Sequence, residues 1–144
     1  MTFTEKLIQF ATHHWILVGG FLLLLILLFV EEARSKGLGS QISVHKAIEL
    51  INREEAVIVD IRPTNAFLDG HIAKARNIPM DQLEQNISKL EAFKKKPVIV
   101  VCFRGRTALT ATVMLRKAGF ENAITLSGGM QAWRDASMPV KKGK

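Results

Sequence analysis

A single cysteine, Cys102, stands in a chain of 144 residues, so no intrachain disulfide can staple the fold. With no second thiol, and with His13, His14, His45 and His71 at no ligand spacing, neither a metal site nor a cofactor is expected. Internal repeats and low-complexity segments are missing as well, which leaves one soluble domain large enough to bury a core. The net charge of +7 comes without the basic stripe and interleaved aromatics of a nucleic-acid surface, so nucleic acid is not an expected partner. The last absence is local: Leu7 to Val30 contains no Asp, Glu, Lys or Arg.

That uncharged stretch reads as a membrane segment. Trp15 to Val30, WILVGGFLLLLILLFV, is apolar apart from two glycines, but at about 1.5 Å per residue it falls short of a hydrocarbon core of about 30 Å. The expected span therefore starts earlier. It gives a short tail over 1–9, a transmembrane helix over 10–30 with the lipid bilayer as its partner, and a linker over 31–41 that includes the glycines of KGLGSQ. A signal peptide cut after Ala33 would put Glu31 where a small residue is required. Lys6 precedes the span, while Arg34, Lys36 and Lys46 follow it. The expected location is thus the inner (cytoplasmic) membrane, single-pass, with the C-terminal domain in the cytoplasm. From Gln41 onward 17 Lys and Arg face 10 Asp and Glu, an excess suited to anionic headgroups or a small anionic substrate.

Residues 42–144 alternate helical and extended patterns. Ser43 is an N-cap candidate for a helix whose Val44, Ala47, Ile48 and Ile51 share one face. Ala56 to Asp60 is a β-branched run, and Pro97 to Val101 is a second buried strand. Between them Pro79 opens a helical stretch with Leu83, Ile87, Leu90 and Phe93 on one side. Thr107 to Ala118 carries a stripe of Ala108, Ala111, Leu115 and Ala118 and ends at Gly119. Ala123 to Leu126 is a third strand, and Gly129 to Asp135 a final helix. The fold class is therefore α/β: an open, mostly parallel sheet flanked by helices, preceded by one transmembrane helix, with ligands at the carboxyl ends of the strands.

Cys102 falls at such a carboxyl end, just before a turn into a helix. A lone cysteine there reads either as a small buried hydrophobe or as a nucleophile. The loop Cys102-Phe103-Arg104-Gly105-Arg106-Thr107 favours the nucleophile. Gly105 permits a tight turn that aims several N–H groups at sulfur, the following helix adds its positive end, and Arg104 and Arg106 supply cations. A Cys–His pair with His71 as base is open on sequence alone.

Three segments, VDIRPTNAFLDGHIAKARNIP, VVCFRGRT and LSGGMQAW, together resemble the single-domain rhodanese family in order and spacing. The resemblance implies sulfur transfer. Cys102 would take sulfane sulfur from a small anionic donor such as thiosulfate, hold it as a persulfide, and pass it to cyanide, a thiol or a protein sulfur acceptor. Phe103, Arg104, Gly105, Arg106 and Thr107 would form the substrate-binding loop. Asp60 and Arg62 match a family pair that ties the strand end to the loop as structural support. His71 falls in a signature that pins a turn, and Gly128 and Gly129 allow a close turn past the sheet, with Trp133 in the core.

The loop departs from the family's frequent pattern, which has an arginine five positions after the cysteine. Thr107 stands there, so either Arg106 reaches the same anion from one residue earlier or Thr107 serves only to cap the helix. Cysteine phosphatases use a related Cys-x5-Arg loop, but the position they need is Ala108, which removes the bidentate phosphate clamp. A third reading is a membrane-tethered rhodanese-like binding or scaffold module with little turnover.

Overall fold

The computed structural model describes residues 1–37 and 40–144, and the chain forms two units, Met1–Lys36 and Gly37–Lys144. In the first, α1 (Phe3–His13) opens with a capping box: Thr2 Oγ1 accepts from the Glu5 N–H, and the Glu5 carboxylate accepts from the Thr2 N–H. The expected tail is therefore mostly helix. A second helix, α2, runs over Trp15–Gly37.

The two are separated at His14, whose φ of −115° and ψ of 37° are not helical. Just before it, the Thr12 hydroxyl donates to the carbonyls of Ile8 and Gln9, a back-bonding pattern that bends helices. The stretch 10–30, expected as one span, is thus divided between two helices, and the helix long and apolar enough to cross a membrane is the second. Its long apolar part is Trp15–Ala33, 19 residues with no buried side chain in its most apolar window. At about 1.5 Å per residue that length approaches a hydrocarbon core of about 30 Å. Because α2 continues to Gly37, the first part of the expected linker is helical, while Leu38 and Gly39 lie outside the described residues.

The second unit is built on five parallel strands in the order β1-β5-β4-β2-β3. These are β1 (Gln41–Ile42), β2 (Val57–Asp60), β3 (Arg76–Asn77), β4 (Val98–Val101) and β5 (Ala123–Leu126). The open, parallel α/β sheet expected from the buried β-branched runs is present. In the centre, β4 has all four residues buried, as a strand covered on both faces requires. Side chains alternate across it: Val98, Val100 and Cys102 join one core, Ile99 and Val101 the other.

Helices cover both faces. On the Cys102 side, α6 (Arg106–Lys117) lays its small residues Ala108 and Ala111 on the sheet. It closes with two bonds that terminate a helix on a left-handed glycine: Phe120 N–H to Leu115 O at 3.0 Å and Gly119 N–H to Arg116 O at 3.1 Å. The stretch after Pro79 lies on the same face but is not one α-helix. Met80–Gln82 and Ile87–Phe93 are 3₁₀ turns around the short α5 (Leu83–Asn86). Ile87, Leu90 and Phe93 recur every third residue, which lines them up in a helix of three residues per turn.

On the other face α3 (Val44–Glu54), capped by Ser43 Oγ accepting from the Lys46 N–H, packs Ala47 and Leu50 beside Met130 and Trp133 of α7 (Gly129–Asp135). A six-residue helix, α4 (Thr64–Asp69), follows β2.

Leu83 and Leu90 have no exposed surface, so the irregular segment is anchored by them. Leu83→Ala should lower unfolding stability by about 2–5 kcal/mol. A denaturant titration showing less than half a kilocalorie would mean that the segment is not packed this way.

Candidate active site

At the end of β4 the chain leaves the sheet through Cys102, which is 4% exposed. Its Sγ accepts a hydrogen bond from the Gly105 N–H at 3.0 Å. Gly105 has φ +92°, and a Cβ there would stand 3.0 Å from the Gly128 nitrogen, so both conformation and space require glycine. It is also the N-cap residue of α6. Thr107 is therefore the second residue inside the helix, not its cap, which corrects the expected role.

The loop is held from behind by α7. Met130 N–H donates to Cys102 O at 2.8 Å, and Gln131 N–H donates to Phe103 O at 3.0 Å. Gly129, with φ +57°, makes the approach possible, since a Cβ on it would fall 2.8 Å from the Phe103 carbonyl carbon. With two carbonyls turned toward α7, the loop keeps its donors for the other side. Among the described residues no protein acceptor outside the helix takes the N–H groups of Phe103, Arg104, Arg106 or Thr107. The sequence suggested several donors at sulfur; one, from Gly105, lies within hydrogen-bonding distance. Phe103, Arg104, Arg106 and Thr107 are exposed at the side chain.

Asp60 and Arg62 are both buried, at 1% and 2% exposure. Arg62 Nη2 donates to Asp60 Oδ2 at 2.6 Å, and Nε to Oδ1 at 2.9 Å, a bidentate charged pair. The same Nη2 reaches Gly70 O at 2.8 Å, and Asn77 Nδ2 donates to the carbonyls of Asp60 and Arg62. The hydrogen bonds of this pair thus run to the turn at Gly70 rather than to the cysteine loop. Its contact with the loop is the Arg62 guanidinium 5.5 Å from the centre of the Phe103 ring.

His71 does not meet the cysteine. Its Nδ1–H donates to Phe67 O at 2.8 Å and its ring stacks on Phe67 at 3.7 Å. Its backbone exchanges two hydrogen bonds with Lys141, so it pins the turn between α4 and the C-terminal segment. Trp133 is buried and donates from Nε1 to Pro139 O. No group of His, Cys, Asp and Glu able to hold a metal occurs among the described residues. Two functions of residues escaped the sequence. The carbonyl clasp by α7 is a backbone contact without a side-chain signature, and Asn77 sits on a two-residue strand with no periodicity.

A cysteine loop at the carboxyl end of a central parallel strand, backed by a glycine-led helix, defines a class. Residues 43–136 match the rhodanese-like domain, and the chain belongs to that family. The YibN protein of Escherichia coli (strain K12) is 35% identical over 144 residues, spanning 97% of this chain and 99% of that one. The thiosulfate sulfurtransferase GlpE of Shewanella oneidensis is 33% identical over 96 residues, 67% of this chain and 93% of GlpE. Among solved structures, a rhodanese-related protein from Thermoplasma volcanium superposes with a TM-score of 0.65 at 27% identity, covering 71% of this chain and 97% of that one.

Removing one member of the buried pair strands the other's charge. Arg62→Ala should cost about 3–5 kcal/mol in unfolding free energy, while the exposed Thr107→Ala should stay within about 0.5 kcal/mol. A comparable loss in both variants, measured by urea denaturation, would return the cap role to Thr107.

Proposed function

We propose that the chain is a membrane-anchored sulfurtransferase of the rhodanese type. The Cys102 thiolate attacks the outer sulfur of a donor such as thiosulfate. The donor's S–S bond breaks, sulfite leaves with the electron pair, and Cys102 retains a persulfide. An acceptor, cyanide or a thiolate, then attacks the terminal sulfur and the electron pair returns to Cys102 Sγ.

The observation that carries this reading is the Gly105 N–H aimed at Sγ within a loop whose carbonyls are held away from it. A hydrogen bond to a charged acceptor is worth about 1.5–3 kcal/mol, and it strengthens as charge collects on sulfur. Arg106, the first residue of α6, adds a cation at the loop's rim for an anionic donor. The apolar part of α2 supports an inner-membrane anchor, and the Lys and Arg bias supports a cytoplasmic domain.

The full chain, purified in detergent and treated with thiosulfate, should gain the mass of one sulfur atom and lose it to dithiothreitol. It should also form thiocyanate from thiosulfate and cyanide. Both should disappear in Cys102→Ser, and turnover that survives this change would sink the mechanism. Arg106→Ala should leave the persulfide able to form but raise the Michaelis constant for thiosulfate several-fold; if Arg104→Ala alone does so, the donor is held by the other arginine. For topology, an alkaline phosphatase fused after Lys144 should be inactive and a green fluorescent reporter active, the reverse pattern placing the domain outside.

A further inference from the structure

Beside the cysteine loop lies an open cleft of about 410 Å³ whose lining includes Arg62, Phe103, Arg104, Gln131, Arg134 and Asp135. It starts one residue from Cys102, which is not itself among the lining residues. Its volume is far beyond that of an oxyanion equivalent to a few waters of about 30 Å³ each, and it falls within the range of about 300–1,000 Å³ typical of small-molecule sites.

Its charges are unequal in kind. Arg62 is already satisfied by Asp60 and Gly70 O. Arg104 and Arg134 have neither an ion-pair partner nor a side-chain hydrogen bond among the described residues. The Arg134 guanidinium overhangs the turn that Arg62 holds, since a Cβ on Gly70 would lie 3.2 Å from Arg134 Nη2. Two guanidinium groups brought to one cleft repel each other unless an anion lies between them, and guanidinium is the side chain best shaped for a carboxylate. Asp135 and Gln131 on the same wall offer acceptors for an ammonium or an amide.

We infer that this cleft holds the carboxylate-bearing body of an organic thiol, the sulfur acceptor, with Arg134 and Arg104 as its anion contacts. The inference rests on the sulfur-transfer reading and names the acceptor class for the same site. A cysteine only 4% exposed admits a narrow tip; a thiol on a methylene arm, its carboxylates in the cleft, meets that condition. In the transfer, the acceptor thiol loses its proton to solvent and its thiolate attacks the terminal sulfur of the Cys102 persulfide. The new S–S bond forms as the old one breaks, and no oxidant or reductant is needed.

The test uses the full chain in detergent, loaded with persulfide from thiosulfate, and glutathione and 2-mercaptoethanol as the anionic and neutral acceptors. The readout is the ratio of their transfer rates, which removes effects common to both. In Arg134→Ala the ratio should fall about tenfold, corresponding to about 1.4 kcal/mol. It should fall further in Arg134→Glu and be largely kept in Arg134→Lys. An unchanged ratio in Arg134→Ala and Arg134→Glu overturns the inference, as does an equal fall in the Lys and Ala variants, which would mark a packing role.

A second measurement is independent of turnover. S-methylglutathione, which has no thiol, should slow iodoacetamide alkylation of Cys102 in the unaltered chain and not in Arg134→Glu. Lack of protection in the unaltered chain overturns the cleft assignment even if the persulfide forms. Protection without any thiosulfate-derived persulfide overturns the sulfur-transfer reading instead.

Discussion

The geometry of the cysteine loop depends on one contact, the approach of the α7 N-terminus to the carbonyls of Cys102 and Phe103. Met130 and Gln131 donate their N–H groups to those oxygens at 2.8 and 3.0 Å, and the approach is possible only because Gly129 has no Cβ. A peptide plane carries its carbonyl and its N–H on opposite sides. Fixing the two carbonyls toward α7 therefore biases the following N–H groups to the sulfur side without any side chain taking part. The same bonds satisfy donors that the start of α7 would otherwise leave unpaired, so helix start and loop stabilise each other.

A second buried arrangement holds the neighbouring strand end. Asp60 closes β2 beside Val101 of β4 in the parallel register, and Arg62 folds back on it. Taking two charges out of water costs several kilocalories per mole each, and only good geometry with further hydrogen bonds offsets that. Here the carboxylate also accepts from the Arg62 N–H, and the guanidinium also donates to Gly70 O. The result is a rigid corner between β2 and the turn at Gly70, on which both the Phe103 ring and the Arg134 guanidinium rest. The cysteine loop is thus flanked by this corner and by α7, while the hydrogen bond to the sulfur comes from backbone.

Most of this was legible in the sequence where side-chain chemistry or periodicity carried it. The β-branched runs gave β2, β4 and β5, the small-residue stripe gave α6, and Ser43 capped α3 as its side chain allows. Strands β1 and β3, two residues each, are too short for any period to appear. The stretch from Met80 to Phe93 read as helix because its apolar residues share a side. From Ile87 onward the spacing is three and three, rather than three and four in turn, which favours the tighter 3₁₀ form. Length alone placed the start of the apolar span near residue 10, whereas the Thr12 hydroxyl competes for helix carbonyls and the break comes at His14. The clasp by α7 was visible only as two adjacent glycines, whose purpose needs the partner carbonyls to be seen.

The displaced arginine fits this division between backbone and side chain. Arg106 and Thr107 are the first and second residues of α6, and successive residues on an α-helix point about 100° apart, at 3.6 residues per turn. Moving a cation from the second position to the first therefore changes the direction from which it approaches the loop. It leaves the N–H groups where they are, because those are set by Gly105 and by the clasp of α7. The hydrogen bond to Sγ comes from the backbone N–H of Gly105, whereas Phe103, Arg104 and Arg106 are exposed at the rim of the loop. In the proposed reaction, a change at the rim would alter the preferred donor or acceptor while leaving the backbone setting of the sulfur in place.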